Sequence, residues 1–227
     1  MKRVLVIAAH PDDEVLGCGA TISKYSRQGS QFMVLFIAEG SSCRHADPAC
    51  AASVADVATR TRQAVNALLM LGVKDYNFND LPCGRLDQTP IIEINKTIEL
   101  AIRKFDPDTV LTHSALDANN DHRIVYRATI MATRPGAQNR VARLLSYEVL
   151  SSSEWSFGEA FAPTSFEQIE ELDLTLKWQA LRAYETEVKA YPFPRSEQGV
   201  RAQAMSRGMQ AGVPLAEAFH LIREFRL

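Results

Sequence analysis

The sequence predicts an α/β fold, a mostly parallel sheet flanked by helices within a single domain. Two observations lead there. Short apolar, β-rich runs recur at Val4–Ala8, Gln31–Ala38 and Thr109–Thr112, with helix-spaced apolar residues between them. This is the strand–helix–strand repeat of a parallel sheet. Each run also empties into polar residues: His10-Pro11-Asp12-Asp13-Glu14, Glu39-Gly40-Ser41-Ser42, and His113 onward. Open α/β sheets hold ligands just outside the carboxyl ends of their strands. A chain of 227 residues, 46% hydrophobic and 23% charged, can bury a full core and is short for two domains. No internal repeat or linker divides it.

After the first turn, Val15 to Gln28 carries Leu16, Ala20, Ile22 and Tyr25 at helical spacing, with Gly29 as C-cap. In Gln31–Ala38, Phe32, Val34 and Phe36 alternate with Met33, Leu35 and Ile37. Both faces are apolar, as in a buried strand. The polar stretch to Ser53 reads as a loop over the strand ends. A helix is expected from Val54 to Leu71, stopped by Gly72, then a short strand from Val73 to Phe78. Pro82 and Gly84 mark a loop. Pro90 opens a helix over Ile91–Phe105, which Asp106-Pro107-Asp108 stops. Beyond the third clear strand, Arg123–Thr133 reads as helix and Leu144–Val149 as strand. Pro163–Phe166 is extended, Phe166–Tyr184 a long amphipathic helix, Tyr191–Pro194 a break and Ser196–Met209 a further helix. Leu215–Leu227 is expected as a closing strand, with Ala216, Ala218 and His220 on one face and Phe219 and Leu221 on the other.

A formal net charge of −2 provides no basic field for nucleic acid or an anionic membrane. No run of about 18 apolar residues offers a membrane span. Met1-Lys2-Arg3 and the short run after it start like a signal peptide, but the run breaks into His10-Pro11-Asp12-Asp13 rather than a small-residue cleavage site. A mature first strand of a cytoplasmic protein is expected. Cys18, Cys43, Cys50 and Cys83 form no Cys-x-x-Cys pair and are sparse for the length, as in a reducing compartment.

A catalytic zinc takes three protein ligands from N, O or S donors and keeps an open position for water. His10 and Asp13 stand at i and i+3 around one tight turn, which can aim both at one point. His122, at the start of a helix beyond another strand end, is the natural third ligand. Asp12 is left over beside two ligands, placed to accept a proton from metal-bound water, whose pKa zinc brings to about 7. The metal would also polarise a substrate carbonyl. These parts suit the hydrolysis of an unactivated carbonyl. Either cluster alone also reads as a solvated turn or a helix cap, with Asp121 as the N-cap. Two such clusters at strand ends point to a site.

The run Ala9-His10-Pro11-Asp12-Asp13-Glu14 with Gly17-Cys18-Gly19-Ala20 resembles the signature of the LmbE-like, or PIG-L, family of zinc-dependent N-deacetylases. A second family pattern is matched by His113, Asp117, Asn119, Asp121 and His122. Arg60 ahead of Leu71-Gly72-Val73, Tyr147-Glu148-Val149 with Ser151-Ser152, Arg195-Ser196, Arg207-Gly208 and Glu217-Ala218-Phe219 resemble later landmarks of one bacterial branch. The likeness spans nearly the whole chain. It implies a Rossmann-like α/β fold and removal of acetyl groups from N-acetylglucosamine-type substrates. It implies Zn2+ held by His10, Asp13 and His122, with Asp12 as general base. Arg60 maps to a contact with the substrate sugar, and Asp121 to a carboxylate beside the zinc histidine. Some members carry a second His where Asn119 stands, which stabilises the oxyanion and protonates the amine. That acid role then falls to His113, to another group, or to Asp12 itself. Asn119 and Glu217 are carried as substrate-binding residues, although Glu217 reads equally as half of a structural ion pair. Cys83 and Gln63 stand near positions where the family often has Asp and Glu, a difference that bears on sugar recognition rather than on the metal. Relatives are often trimers or hexamers, which implies a homo-oligomer.

Gly17-Cys18-Gly19 resembles half a dinucleotide fingerprint, but the third Gly is missing and acids face the place of a pyrophosphate. Close helix–strand packing is the better account. Cys43, His45 and Cys50 fit no zinc-finger spacing and read as loop residues. His220 reads as a surface or core-edge histidine. Trp155, Trp178 and Tyr191-Pro192-Phe193-Pro194 read as packing or interface aromatics rather than sugar-stacking ones. The function expected is a zinc-dependent hydrolase removing the N-acetyl group from an N-acetylglucosamine-type amino sugar or glycoconjugate. Two other readings use the same residues. One is a metal-dependent amidase on a thiol-conjugate or antibiotic precursor. The other is a sugar- or nucleotide-binding module without turnover, which Asn119 favours and the intact Asp12 opposes.

Overall fold

The computed structural model describes residues 1–136 and 141–225. Its strands are β1 (Arg3–Ala8), β2 (Gln31–Ala38), β3 (Asp75–Leu81), β4 (Thr109–His113), β5 (Arg143–Tyr147), β6 (Ser165–Gln168) and β7 (Ala216–Glu224). All enter one sheet in the order β3-β2-β1-β4-β5-β7-β6. The first five in that order run parallel, whereas β7 lies antiparallel between β5 and β6. The helices are α1 (Asp13–Arg27), α2 (Ala51–Met70), α3 (Ile91–Phe105), α4 (Asn120–Ala132), α5 (Glu171–Arg182) and α6 (Glu197–Ala211).

β1 is apolar on both faces because helices cover both. Val4, Val6 and Ala8 pack with Leu16 of α1, Ala64 and Leu68 of α2, and Leu174 and Leu181 of α5. Leu5, Ile7 and Ala9 pack with Ile94, Ile98 and Ile102 of α3, and Val125 and Ala128 of α4. Each larger side chain so buried contributes roughly 1.5–3 kcal/mol. The chain leaves β1 towards β2 on one side and later returns to β4 on the other. The loops after β1 and β4 therefore part at the sheet's switch point, where such sheets hold their ligands.

Close approach of α1 to the sheet depends on one glycine. Tyr147, fully buried, donates its hydroxyl to the Ile7 carbonyl at 2.7 Å. A Cβ on Gly17 would stand 2.2 Å from the Tyr147 ring. The half-fingerprint is thus a packing feature. Gly17→Ala is expected to destabilise the protein by about 1–3 kcal/mol through overpacking, read as a lower urea midpoint. Just beyond Gly17, Cys18 leaves helical geometry (φ −148°, ψ 21°) and breaks α1 into two segments.

Several boundaries differ from expectation. β3 begins at Asp75, because the Val73 N–H still closes on the Leu68 carbonyl at the exit of α2. The long helix expected from Phe166 starts only at Glu171. Phe166 and Gln168 instead pair with Ala218 and Ala216 of β7, and a capping box between Glu170 and Asp173 opens α5. β7 ends at Glu224; Leu227, the expected end of the strand, lies outside the described residues. α4 starts at Asn120 rather than Arg123, which places Asp121 and His122 in its first turn. Its N-cap is Asn119, whose Oδ1 accepts the Asp121 N–H at 2.9 Å. The alternative of Asp121 as the cap is thus set aside, and its carboxylate is left for other partners.

Candidate metal centre

The turn after β1 is drawn tight by its own groups. The His10 N–H donates to Asp13 Oδ2 at 2.8 Å, and the Asp13 N–H returns to the His10 carbonyl at 3.2 Å. Between them Asp12 takes φ 122°, ψ −24°, a region L-residues rarely enter and that costs on the order of 1–3 kcal/mol. Three contacts hold it there. The Asp12 N–H donates to Glu14 Oε2 at 3.0 Å, Arg60 Nε donates to the Pro11 carbonyl at 2.7 Å, and the Asp12 carboxylate is paired from outside the turn. Burial lifts the Glu14 carboxyl to about 8 despite the Tyr184 hydroxyl, 2.6 Å from its Oε1.

His10, Asp13 and His122 bring one donor atom each to within 4.8 Å of one another. His10 Nδ1 and His122 Nε2 each lie 3.4 Å from Asp13 Oδ2. Both separations suit donors that share one ion at about 2.1 Å, the distance zinc takes to N and O ligands. The remaining ring nitrogens face carboxylates: His10 Nε2 lies 3.0 Å from Asp121 Oδ2, and His122 Nδ1 3.2 Å from Asp117 Oδ1. A carboxylate only accepts, so with a metal bound these nitrogens would keep their protons and the other two would offer lone pairs to the ion. Asp121 is itself held by the Gly84 N–H (2.6 Å) and the Leu86 N–H (3.2 Å). Asp117 is held by the Asn119 N–H and by the Ser152 and Ser153 hydroxyls.

The electrostatics draw positive charge to this point. Burial opposes the imidazolium of His10, yet Asp121 and Asp13 outweigh it and raise its pKa to about 9. Burial also opposes that of His122, and Asp13 and Asp117 raise it to about 10. A dication would take the place of those protons. A second donor group, His10, Cys83 and Asp121, is also close enough to hold an ion. There, however, Asp121 Oδ2 already accepts from Gly84 and faces the His10 ring N–H.

Asp12 is gripped by cations. Its Oδ2 lies 3.0 Å from Arg60 Nη2 and 2.6 Å from Arg195 Nη1. Glu187 joins the two guanidiniums, pairing with Arg60, with Arg195 at 2.9 Å and with Arg44 at 2.7 Å. The Ser151 hydroxyl receives Arg195 Nε. Burial pushes the Asp12 pKa up, and Arg60 and Arg195 work against that rise.

Three expected roles are corrected by these positions. Arg60 does not reach towards a sugar: its side chain is 3% exposed and spent on Asp12, Glu187 and the Pro11 carbonyl. His113 is fully buried behind the centre. Its Nε2 accepts the Ala9 N–H at 2.8 Å, its ring stacks on His122 at 4.0 Å, and burial drives its pKa down to about 3. Its Nε2 lone pair is thus committed to the backbone, and burial disfavours the imidazolium that a proton donor would need. Glu217 is structural. Its two oxygens accept the Ala20 (3.0 Å) and Thr21 (2.7 Å) N–H groups at the start of the second α1 segment, and it pairs with buried Lys177 at 2.7 Å. Glu217→Ala is expected to cost about 3–5 kcal/mol by stranding that lysine, with turnover per folded molecule unchanged within a few-fold; thermal melts and active-site titration check both.

The remaining singled-out residues lie outside the His10, Asp13 and His122 group. His220 Nδ1 lies 2.9 Å from the Ala162 carbonyl on an exposed part of β7. His45 turns to Asp56 and Cys50 caps α2, while Cys43 turns away to Cys83, so the three form no common cluster. Trp178 packs against the core, and Trp155 lies 6.4 Å from Phe193. Sequence reasoning assigned no role to Asp117, Arg195 or Glu187. Asp117 and Arg195 lay inside recognised patterns; Glu187 had no signal.

A sheet switch point carrying a buried His/Asp/His group with a spare carboxylate defines a Rossmann-like α/β protein with a group able to hold a metal ion. Residues 5–133 match the family described as PIG-L: GlcNAc-PI de-N-acetylase, and the chain belongs to that family. It is 27% identical over 193 residues to the uncharacterized deacetylase YaiS of Escherichia coli, covering 82% of this chain and 91% of that one. It is 26% identical over 234 residues to the diacetylchitobiose deacetylase of Thermococcus kodakarensis, covering 98% and 84%. The N,N'-diacetylchitobiose deacetylase structure from Pyrococcus horikoshii shares the fold with a TM-score of 0.79, at 23% identity over 97% of this chain and 84% of that one.

Proposed function

We propose that the protein is a zinc-dependent N-deacetylase acting on an N-acetylglucosamine-type amino sugar, with His10, Asp13 and His122 as ligands and Asp12 as general base. One observation carries the reading: a buried carboxylate that is not needed as a ligand is fixed beside the ligand group by two guanidiniums. A binding module has no use for it. The Thermococcus kodakarensis relative described above, a diacetylchitobiose deacetylase, supports this reading.

When bound, zinc supplies a Lewis acid for the amide carbonyl and lowers the pKa of a water molecule. The rest falls to the chain. Asp121 and Asp117 fix the tautomers of His10 and His122. Arg60 and Arg195 both grip Oδ2 of Asp12, which leaves Oδ1 to take a proton from water and return it to the departing amine. With His113 committed elsewhere and Asn119 spent as a helix cap, Asp12 performs both transfers. Among the described residues no helix is long and apolar enough to cross a membrane, and the cysteines are free thiols, which suits a cytoplasmic setting and a small-molecule substrate. Exposed Trp155, Phe157 and Tyr191 suit a contact between copies in a homo-oligomer.

The test is acetate release from N-acetylglucosamine derivatives, including N,N'-diacetylchitobiose, by zinc-loaded protein. Tight sugar binding without acetate, insensitive to chelator, would replace this reading with the binding module.

A further inference from the structure

Two thiols meet at the rim of the metal centre, and the mechanism above uses neither. Cys43 lies in the short turn Ser42–Arg44 after β2, and Cys83 in the loop after β3. Their sulfurs are 3.1 Å apart. Cys43 is exposed and Cys83 is buried. The Glu39 carboxylate binds the two loops together: Oε2 accepts the Ser41 (2.6 Å) and Ser42 (3.0 Å) N–H groups, and Oε1 the Cys83 N–H (2.8 Å). Gly84 adopts φ 72°, and a Cβ there would press on Cys43 Cβ at 3.3 Å. The approach of the two cysteines is therefore built into the loops rather than left to side-chain chance.

We propose that Cys43 and Cys83 are a redox modification site, a dithiol that closes to a disulfide in exchange with a low-molecular-weight disulfide such as oxidised glutathione. The exposed Cys43 thiolate attacks one sulfur of the small disulfide; its S–S bond breaks and one thiolate leaves. Cys83 sulfur then attacks Cys43 sulfur, expelling the second small thiolate. The two protein thiols are oxidised, the small disulfide is reduced to two thiols, and the protons of the cysteines end on the two released thiolates. Closing the pair means drawing the sulfurs in to about 2.05 Å. Cys83 is bonded to Gly84, whose N–H holds the Asp121 carboxylate that orients His10. Closure thus pulls on the support of a proposed ligand. This effect on turnover rests on the deacetylase reading; the disulfide does not.

The experiment treats zinc-loaded protein with oxidised glutathione, denatures it, blocks the remaining thiols by alkylation and maps the peptides. The expected result is a Cys43–Cys83 crosslink that dithiothreitol removes, with Cys18 and Cys50 alkylated. Acetate release falls several-fold on oxidation and recovers on reduction, and Cys43→Ser keeps its turnover through the treatment. Alkylation of all four cysteines, or a stable glutathione adduct on Cys43 with Cys83 still free, overturns the site. A crosslink that leaves turnover unchanged overturns its coupling to the metal centre. If reduced protein releases no acetate, the deacetylase reading fails, while the peptide map still decides the disulfide.

Discussion

Replacing Asp12 by asparagine is expected to lower kcat on an N-acetylglucosamine substrate by about 10²–10⁴-fold, the usual contribution of a general acid–base group, while bound zinc stays at its wild-type level. Asparagine is the right change because it keeps the size of the side chain and tolerates a positive φ, as Asp12 must at 122°. Alanine would mix the chemical loss with relaxation of the turn. The amide can still accept from Arg60 and Arg195 but cannot take a proton. Turnover within a few-fold of wild type would remove Asp12 from the base role. Loss of zinc from this variant would make Asp12 a ligand and undo the division of labour between it and Asp13.

His122→Ala is expected to abolish stable zinc binding and, with it, turnover, since it removes one of three donors and leaves Asp13 and Asp117 facing each other's charge without a cation between them. Asp117→Asn should be milder. It keeps the ring in place but weakens the carboxylate that fixes the ring's proton on Nδ1, and such partners are worth about 10–100-fold in metal affinity. Metal content after dialysis and titration against a competing chelator separate the two variants. Equal zinc retention by His122→Ala and wild type would place the metal elsewhere, with the His10, Cys83 and Asp121 group as the first alternative.

The parts of this protein that could be read in advance are those whose physics is local. A strand that is apolar on both faces announces its burial, and an i, i+3 pair around a turn announces a shared target, so β1, β2, β4 and the His10, Asp13 and His122 group were legible. Arg60 was misread because a buried arginine differs from a sugar-binding one only by its partners, and Glu187 comes from a distant polar stretch. Glu187 itself looks like any solvated glutamate in sequence; only the meeting of Arg44, Arg60 and Arg195 gives it a place. The start of α5 was lost to a genuine ambiguity. Phe166 and Ile169 have helical spacing, yet Phe166 lies on β6, paired with β7, and only the capping box at Glu170 marks where the helix begins. His113 looked catalytic by its place in a motif, but a histidine at the end of a central strand can as easily support the neighbouring backbone, and here it does.

The break in α1 at Cys18 ties the beginning of the chain to its far end. The N–H groups exposed by that break are satisfied by Glu217, 197 residues away from Ala20, and the second cation on Asp12 comes from Arg195, 183 residues away. Contacts of such long separation close late, because the entropy of the intervening loop is lost before they form. The ligand turn and the second α1 segment thus both lean on residues far along the chain, Arg195 for the turn and Glu217 on β7 for the helix. A ligand sequence near one end of the chain is therefore not yet a site: its supports are written near the other.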